Sequence, residues 1–288
     1  MMSRIPPSVG TAKRHRPALS GVPETMLWPL INRAAEARRP APLLDDPEAI
    51  RIVDSLDYPF AEHFGPPDLS HVHRALVMDR LIRMWLRQHP AGQIVALGEG
   101  LETQWFRVDN GRLTWRSIDL PEAIAVRREF LPDTDRHQNW SGSALDVQWM
   151  ESLDDTRTRP TLITAAGLLM YFRPEQVRTL IHEMGNRLPG VTLLLDVIPP
   201  WMSRWTLRGF RVTPQYTAPP MPWGITRRQL LAMQTWHPAI ERVEAVDYFA
   251  SRGIRGAMIR MVRNTPGLWN HLPMIGKMTF RRETVSAN

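Results

Sequence analysis

Ile94-Val95-Ala96-Leu97-Gly98-Glu99-Gly100-Leu101-Glu102-Thr103, followed by Ser117-Ile118-Asp119-Leu120-Pro121, decides the fold class. An apolar run ending in Gly-x-Gly, with an acidic residue closing the next strand, is how α/β proteins receive an adenosine-bearing cofactor. Gly98 and Gly100 let backbone approach a ligand with no side chain between them. The Asp119 carboxylate, 21 positions after Gly98, can accept hydrogen bonds from both ribose hydroxyls. The third glycine of the dinucleotide pattern would fall at Thr103 and is absent, which favours S-adenosylmethionine over a nicotinamide cofactor.

Outward from this stretch, short apolar runs alternate with helical patterns, the mark of a parallel sheet with crossovers. Strands are expected at 93–97, 113–118, near 138–142, at 161–166 and at 191–198, with the last two at 245–249 and 257–262. Pro121 opens a helix over 121–130. Pro174 and Glu175 open the clearest crossover helix, which carries Val177, Leu180, Ile181, Met184 and Leu188 on one face. Upstream, helical patterns at 24–38, after Asp46-Pro47 and at 70–88 read as an N-terminal helical cap over 21–91, preceded by a mobile tail over 1–20. The core is expected over 92–265 and a peripheral segment over 266–288, all within one structural domain. Beyond Pro199-Pro200 the chain is rich in Pro, Trp and Arg as far as Pro222. Regular helix is not expected there, and the stretch at about 199–240 reads as a lid.

With 288 residues, 43% of them hydrophobic, the chain can bury a sizeable core. No apolar run approaches the roughly 18 residues of a membrane span, and the basic start lacks a signal-like apolar stretch, so a cytoplasmic protein is expected. The absence of cysteine excludes disulfides, thiolate nucleophiles and Cys-ligated metals. A net charge of +7 and a pI of about 10.6 would suit a nucleic-acid partner. All but two of the 36 basic residues are arginine, however, and part of the excess lies in Lys13-Arg14-His15-Arg16. Charges elsewhere are interspersed as on a solvated face, so nucleic acid is not the expected partner. No His or Asp/Glu group has metal-ligand spacing, and no metal is expected.

Four motifs occur in a set order: Leu97-Gly98-Glu99-Gly100-Leu101-Glu102-Thr103, Asp119-Leu120-Pro121-Glu122, Ser143-Ala144-Leu145-Asp146 with Trp149, and Gly167-Leu168-Leu169-Met170-Tyr171-Phe172. Together they resemble the leucine carboxyl methyltransferase family, above all its bacterial branch of polyketide O-methyltransferases. The resemblance spans about residues 21–200 and includes Arg38-Arg39-Pro40 and Leu44-Asp45-Asp46-Pro47. It implies a Rossmann-like class I methyltransferase fold: a seven-stranded, mostly parallel sheet with its last strand antiparallel, an N-terminal helical cap, and a lid inserted after the fifth strand. It also implies S-adenosylmethionine as cofactor. By motif, Gly98 and Gly100 would line its methionine and ribose, Asp119 would hold the ribose, and Ser143, Ala144 and Asp146 would flank adenine. Glu99, Leu120, Ala165 and Ala166 fall in the same cofactor-binding set, and Arg74 stands where the family often keeps an arginine for the cofactor carboxylate. One position departs. Relatives commonly carry Glu, sometimes Gln, where this chain has Ala166.

Methyl transfer asks the protein mainly to align the acceptor and exclude water. A carboxylate acceptor needs no base, whereas a phenol with a pKa of about 10 gains from one. Tyr171, just past the fourth strand, is the expected positioning residue. Candidate bases are His182, His237 and His271. Trp201, Trp205, Trp223 and Trp236 are candidate walls of an aromatic pocket, and Arg204, Arg208 and Arg211 candidate holders of an acidic substrate. The leading expectation is an O-methyltransferase acting on a carboxyl or phenolic oxygen of a small secondary metabolite. The competing readings are a macromolecular acceptor, either a protein C-terminal carboxylate or tRNA, and a non-catalytic cofactor-binding relative.

Overall fold

Five short runs, largely apolar, lie side by side in one parallel array: β1 (Gln93–Leu97), β2 (Thr114–Asp119), β3 (His137–Ser141), β4 (Thr161–Ala165) and β5 (Thr192–Val197). The computed structural model describes residues 14–153, 156–248, 267 and 269–282. Two more strands, β6 (Ile240–Asp247) and β7 (Met274–Phe280), complete a seven-stranded sheet in the order β3-β2-β1-β4-β5-β7-β6, with β7 antiparallel to both neighbours. The register pairs Leu97 with Ile118, Asp119 with Ser141 and Ala165 with Leu195, so the carboxyl ends of β1 to β5 reach one edge together. Strand order reverses between β1 and β4, which opens the crevice where sheets of this kind bind ligands.

Alternation along β1 divides its side chains between two layers. Val95 and Leu97 pack with Ile163, Leu193 and the Val177, Leu180, Ile181 and Met184 face of α8 (Pro174–Arg187). Ile94 and Ala96 pack with Leu162, Leu194 and the Val77, Met78, Ile82 and Leu86 face of α4 (Ser70–Gln88). The first turns of α4 bury Val72 and Ala75 against Leu44, so one helix joins cap and sheet. The cap itself has α1 (Leu27–Ala37), α2 (Pro47–Ser55) and α3 (Phe60–Phe64), the first preceded by a 3₁₀ turn, Pro23–Met26. Asp46 caps α2, accepting the Ala49 N–H at 3.1 Å, with Pro47 at the first helical position as its sequence suggests. The cap core of Leu27, Leu30, Ala34, Ile52 and Phe64 continues into Leu101 of the Gly-x-Gly loop, Val126 and Phe130 of α6 (Pro121–Phe130), and Tyr216 of the segment after β5.

Three expectations are corrected. Residues from 14 onward are docked rather than tail-like: the His15 N–H donates to the Ser55 carbonyl at 2.8 Å, and its carbonyl accepts from the Asp57 N–H at 2.8 Å. Residues 1–13 lie outside the described part. After β5 a regular helix, α9 (Pro200–Leu207), does form, because a proline at the first helical position gives up only an N–H that no carbonyl would have accepted. The stretch expected to be peripheral instead supplies β7, inside the sheet. Gly276 disguises that strand. A Cβ there would stand 2.9 Å from Leu230 of α10 (Arg227–Ala232) and 3.0 Å from Leu195, so only glycine lets the helix pack this close. The strand expected at 257–262 falls outside the described residues.

Candidate active site

The loop after β1 turns on two glycines with left-handed backbone, Gly98 at φ +60° and Gly100 at φ +54°. Side chains are excluded by space as well as by conformation: a Cβ on Gly98 would lie 2.5 Å from Leu168, and one on Gly100 would lie 2.5 Å from Met26. Asp119, closing β2, accepts the Gly100 N–H at 2.8 Å on one oxygen and the Leu120 N–H at 2.8 Å on the other. Burial pushes its carboxyl up, against the pull of those two N–H groups and of Arg127. A carboxylate has about four lone-pair sites, so Asp119 keeps acceptor capacity beyond the two backbone bonds. The Gly142 N–H donates to the Asp119 carbonyl at 2.9 Å and carries the chain into the turn Ser143–Asp146, where Asp146 N–H donates to Ser143 O at 3.0 Å. Trp149 pins that turn by donating from Nε1 to the Ala144 carbonyl at 3.1 Å.

Two buried arginine networks hold the loop in place. Arg127 of α6 donates to the carbonyls of Gly100 (2.7 Å) and Glu102 (3.0 Å), to Asn139 Oδ1 (2.7 Å), and pairs with Glu99 at 3.0 Å. Glu99 also accepts from Trp115 Nε1 and Ser117 Oγ, so its carboxylate lies inside the protein beneath β2. The Glu99 side chain thus points away from the crevice that its position between the two glycines borders. On the cap side, Arg33 reaches Asp46 (3.1 Å), Glu102 (2.8 Å) and the Leu101 carbonyl (2.9 Å). Arg107 of α5 (Gln104–Val108) reaches Asp46 (2.7 Å), Asp79 (2.8 Å) and Glu102 (2.9 Å). Glu102 is partly buried, and Arg33 and Arg107 outweigh that burial to hold its carboxyl down at about 2.

Across the crevice, Arg74 of α4 pairs with Asp196 of β5 at 3.1 Å, and its guanidinium lies where a Cβ on Gly167 would be, 2.8 Å away. Asp196 also accepts from the Gly167 N–H at 2.6 Å and from the Tyr248 hydroxyl at 3.1 Å. Gly167 follows Ala165, buried at the end of β4, and Ala166, which packs against the α4 layer. One turn before Arg74, His71 accepts from Asn32 Nδ2 at 2.8 Å, and burial together with Arg74 and Arg33 holds it well below its ordinary range. Tyr171, in a 3₁₀ turn (Leu169–Tyr171), lies near Thr25 of the cap, and burial raises its pKa.

The 3₁₀ turn Pro23–Met26 thus roofs the crevice: Met26 touches Gly100 and Thr25 meets Tyr171, while Glu24 turns to a cluster of rings. Glu24 accepts from the Tyr58 hydroxyl at 2.7 Å, and the Tyr58 oxygen is 2.6 Å from His63 Nδ1. Tyr216, from the segment after α9, stacks on His63 (5.8 Å between ring centroids) and edges onto Phe64 (4.9 Å) and Trp28 (6.5 Å). Thr213 fastens that segment to α3 by donating to the Glu62 carbonyl at 2.5 Å. Sequence reasoning missed His63, His71 and Tyr216. The aromatic density of Tyr58-Pro59-Phe60 and His63-Phe64 was the available signal for the first.

The other candidates are elsewhere. Trp201 and Trp205 lie on the exposed side of α9, Trp223 is in the core, and Trp236 stacks under Arg178. Arg204, Arg208 and Arg211 are exposed. His182 and His237 face each other at 5.3 Å, with His237 bonded to Asn186, on the α8 side of the sheet, and His271 lends its carbonyl to Trp201. The rings that cluster beside the crevice are instead those of the cap and Tyr216.

Residues 27–185 match the family model of leucine carboxyl methyltransferase. The chain is similar to the tetracenomycin polyketide synthesis O-methyltransferase TcmP of Streptomyces glaucescens, 30% identical over 190 residues covering 65% of this chain and 70% of that protein. It is also similar to the S-adenosyl-L-methionine-dependent methyltransferase dpfgK of Gibberella zeae, 26% identical over 196 residues, 62% of this chain and 65% of that protein. Among solved structures, the CurJ carbon methyltransferase superposes with a TM-score of 0.51 at 12% identity, covering 90% of this chain and 67% of that one, a likeness of fold.

Proposed function

Because the chain belongs to the leucine carboxyl methyltransferase family, and so is an S-adenosylmethionine-dependent methyltransferase, we propose that it methylates a carboxyl or phenolic oxygen of a small, polyketide-like metabolite. The observation that carries this reading is the crevice at the β1/β4 switch point. The left-handed loop at Gly98 and Gly100, a carboxylate with spare acceptor sites at Asp119, and a guanidinium at Arg74 all border it.

Those groups fit an adenosine carrying an amino-acid tail. Asp119 would hold the ribose, the Ser143–Asp146 turn the adenine, and Arg74 the carboxylate, with Ala165 and Ala166 leaving space beside the tail. When bound, the cofactor supplies an electrophilic methyl carbon. The chain's own work is alignment and exclusion of water. Tyr171 positions the acceptor, the Pro23–Met26 turn closes over the loop, and the rings of Trp28, Phe64 and Tyr216 wall an acceptor of aromatic character. The fastening of Thr213 to α3 closes the lid side, which favours a small acceptor over a protein tail or tRNA.

Calorimetric titration with S-adenosylmethionine and S-adenosylhomocysteine tests the donor site, and labelled methyl transfer to a panel of hydroxylated and carboxylated aromatic polyketides tests the acceptor. Binding with transfer to an oxygen of that panel is expected. Binding with transfer only to protein or tRNA would refute the small-acceptor reading, and no binding would refute the site.

A further inference from the structure

Helix α9 is built inside out. Its inward positions hold the small polar residues Ser203 and Thr206, both buried, while Trp201, Trp205 and Leu207 are 42%, 50% and 54% exposed. Close packing beneath the helix fixes that choice. A Cβ on Gly224 would stand 2.8 Å from the Ser203 side chain, so the space under this position admits nothing large. The Thr206 hydroxyl donates to the Ser203 carbonyl at 2.8 Å and accepts the Met221 N–H at 3.0 Å, which satisfies it without water. Outside, Trp201, Arg204, Trp205 and Arg208 follow the i, i+3, i+4 and i+7 spacing of one helix face, and all four are exposed. The rings are held there: Trp201 Nε1 donates to the His271 carbonyl at 3.0 Å, Trp205 lies 6.4 Å from Trp201, and Phe210 tilts against Trp205 at 4.1 Å. Arg211 extends the row. Among the described residues, the side chains of Arg204, Arg208 and Arg211 have no ion pair or hydrogen bond.

The sequence around this face is one-signed. Residues 197–240 contain five arginines and no Asp or Glu, within a chain of net charge +7. A two-fold contact with a second copy would bring Arg204 and Arg208 toward their own copies with no acid in the patch to meet them. An anionic surface removes that conflict and is drawn to the charge of the whole chain. Trp and Arg both join an apolar body to a polar end, the combination that settles where headgroups meet acyl chains. Leu207 adds an aliphatic group, which gains from hydrocarbon but offers no ring face on which a nucleic-acid base could stack. We propose that this face of α9 docks on an anionic membrane surface, with Trp201, Trp205 and Leu207 among the headgroups and Arg204, Arg208 and Arg211 on the phosphates. No helix among the described residues is long and apolar enough to cross a bilayer, so the contact is with its surface. The proposal goes beyond the methyltransferase reading and does not depend on it. Docking would reach the lid, because the Ala218 N–H donates to the Phe210 carbonyl at 2.9 Å and closes a turn that packs Tyr216 into the cap core.

Co-sedimentation of the full chain with vesicles of phosphatidylcholine and phosphatidylglycerol in equal parts, beside phosphatidylcholine alone, tests the proposal. Binding to the anionic vesicles is expected, and raising salt from about 0.1 M to about 0.5 M should release the protein. Replacing Arg204, Arg208 and Arg211 together by Gln should weaken binding by about 10²-fold, roughly fivefold for each cation near the surface. Trp201→Ser with Trp205→Ser should weaken it by roughly tenfold. Vesicles with brominated acyl chains supply the second readout, since they should quench tryptophan fluorescence in the unsubstituted protein and much less in the double variant. Both variants change exposed side chains, and their urea midpoints should match that of the unsubstituted protein. Should the double variant fail to fold, Trp205→Ser alone carries the quenching comparison. Absence of sedimentation with the anionic vesicles, or binding that both variants keep, would overturn the proposal. Loss in the arginine variant alone would reduce the contact to charge and overturn the seating of the rings. A dimer in analytical ultracentrifugation that the tryptophan variant dissolves would give the face to a second copy, and tighter binding of an oligouridine RNA than of the anionic vesicles would give it to nucleic acid; either overturns the membrane assignment.

Discussion

The Arg74 guanidinium stands 3.1 Å from the Asp196 carboxylate, so a helix of the N-terminal region is tied across the crevice to the end of the fifth strand. Asp196 is buried and receives the Gly167 N–H and the Tyr248 hydroxyl as well. Removing the cation would leave a buried carboxylate supported only by neutral donors. Arg74→Met is therefore expected to cost roughly 3–5 kcal/mol of stability, the scale for breaking a buried ion pair. Denaturant unfolding measures it. Calorimetry should show weakened S-adenosylhomocysteine binding in the same variant, and an unchanged Kd would remove Arg74 from the cofactor site.

Asp119→Asn keeps one acceptor oxygen for the Gly100 N–H and loses the charge. Affinity for S-adenosylmethionine should fall by roughly 1.5–3 kcal/mol, the scale of a hydrogen bond to a charged group. Native-like unfolding with that loss would mark Asp119 as a ligand residue. Equal affinity would mean that its carboxylate serves only the Gly-x-Gly loop.

Gly100→Ala places a methyl group 2.5 Å from Met26 Cβ and asks alanine to adopt φ +54°. The backbone penalty alone is about 1–2 kcal/mol. Because Met26 belongs to the turn over the crevice, the variant should also raise proteolytic cleavage near residues 23–26. Limited proteolysis of the variant beside the unsubstituted protein checks this, and identical digestion would show that the turn does not depend on Gly100.

Acidification should weaken the fold early. Burial and Arg127 hold His137 down at about 3, and His71 also lies well below 6.5. Between pH 6.5 and those values the unfolded chain binds protons that the folded chain refuses, so stability falls as pH falls, by up to about 1.4 kcal/mol per pH unit for each histidine. Glu102, held down at about 2, adds a loss of the same sign below about pH 4.5. Glu99 and Asp119 have raised carboxyls and act in the opposite sense, offsetting part of that loss. Urea midpoints at pH 7, 6 and 5 should fall in that order, and His137→Gln should flatten the trend.

Much of this site was written in local sequence. Gly98, Gly100 and Asp119 carry a spacing set by one strand, one turn and the next strand, and Asp46-Pro47 marks a helix start by itself. What escaped detection depends on distant segments. His63, Glu24 and Tyr58 meet in one hydrogen-bonded cluster only because α3 folds back on the Pro23–Met26 turn, and Tyr216 joins them from more than 150 residues downstream. Glu99 illustrates the converse: its place between two cofactor-loop glycines says nothing of Arg127, which draws its carboxylate beneath the sheet. β7 was hidden because Gly276 answers to Leu230 on another element rather than to strand propensity.

The placement of β7 between β5 and β6 has a kinetic consequence. Among the described residues, β6 pairs only with β7, while β7 also pairs with β5, from which it is separated in sequence by α9, α10 and β6. Contacts of such long sequence separation form late, because loop closure must precede them. Until they form, β5 presents an open row of N–H and C=O groups beside Leu193 and Leu195, an edge able to pair with another molecule. Refolding of this protein should accordingly become concentration-dependent in its last phase, with association nucleated along β5 rather than at the crevice.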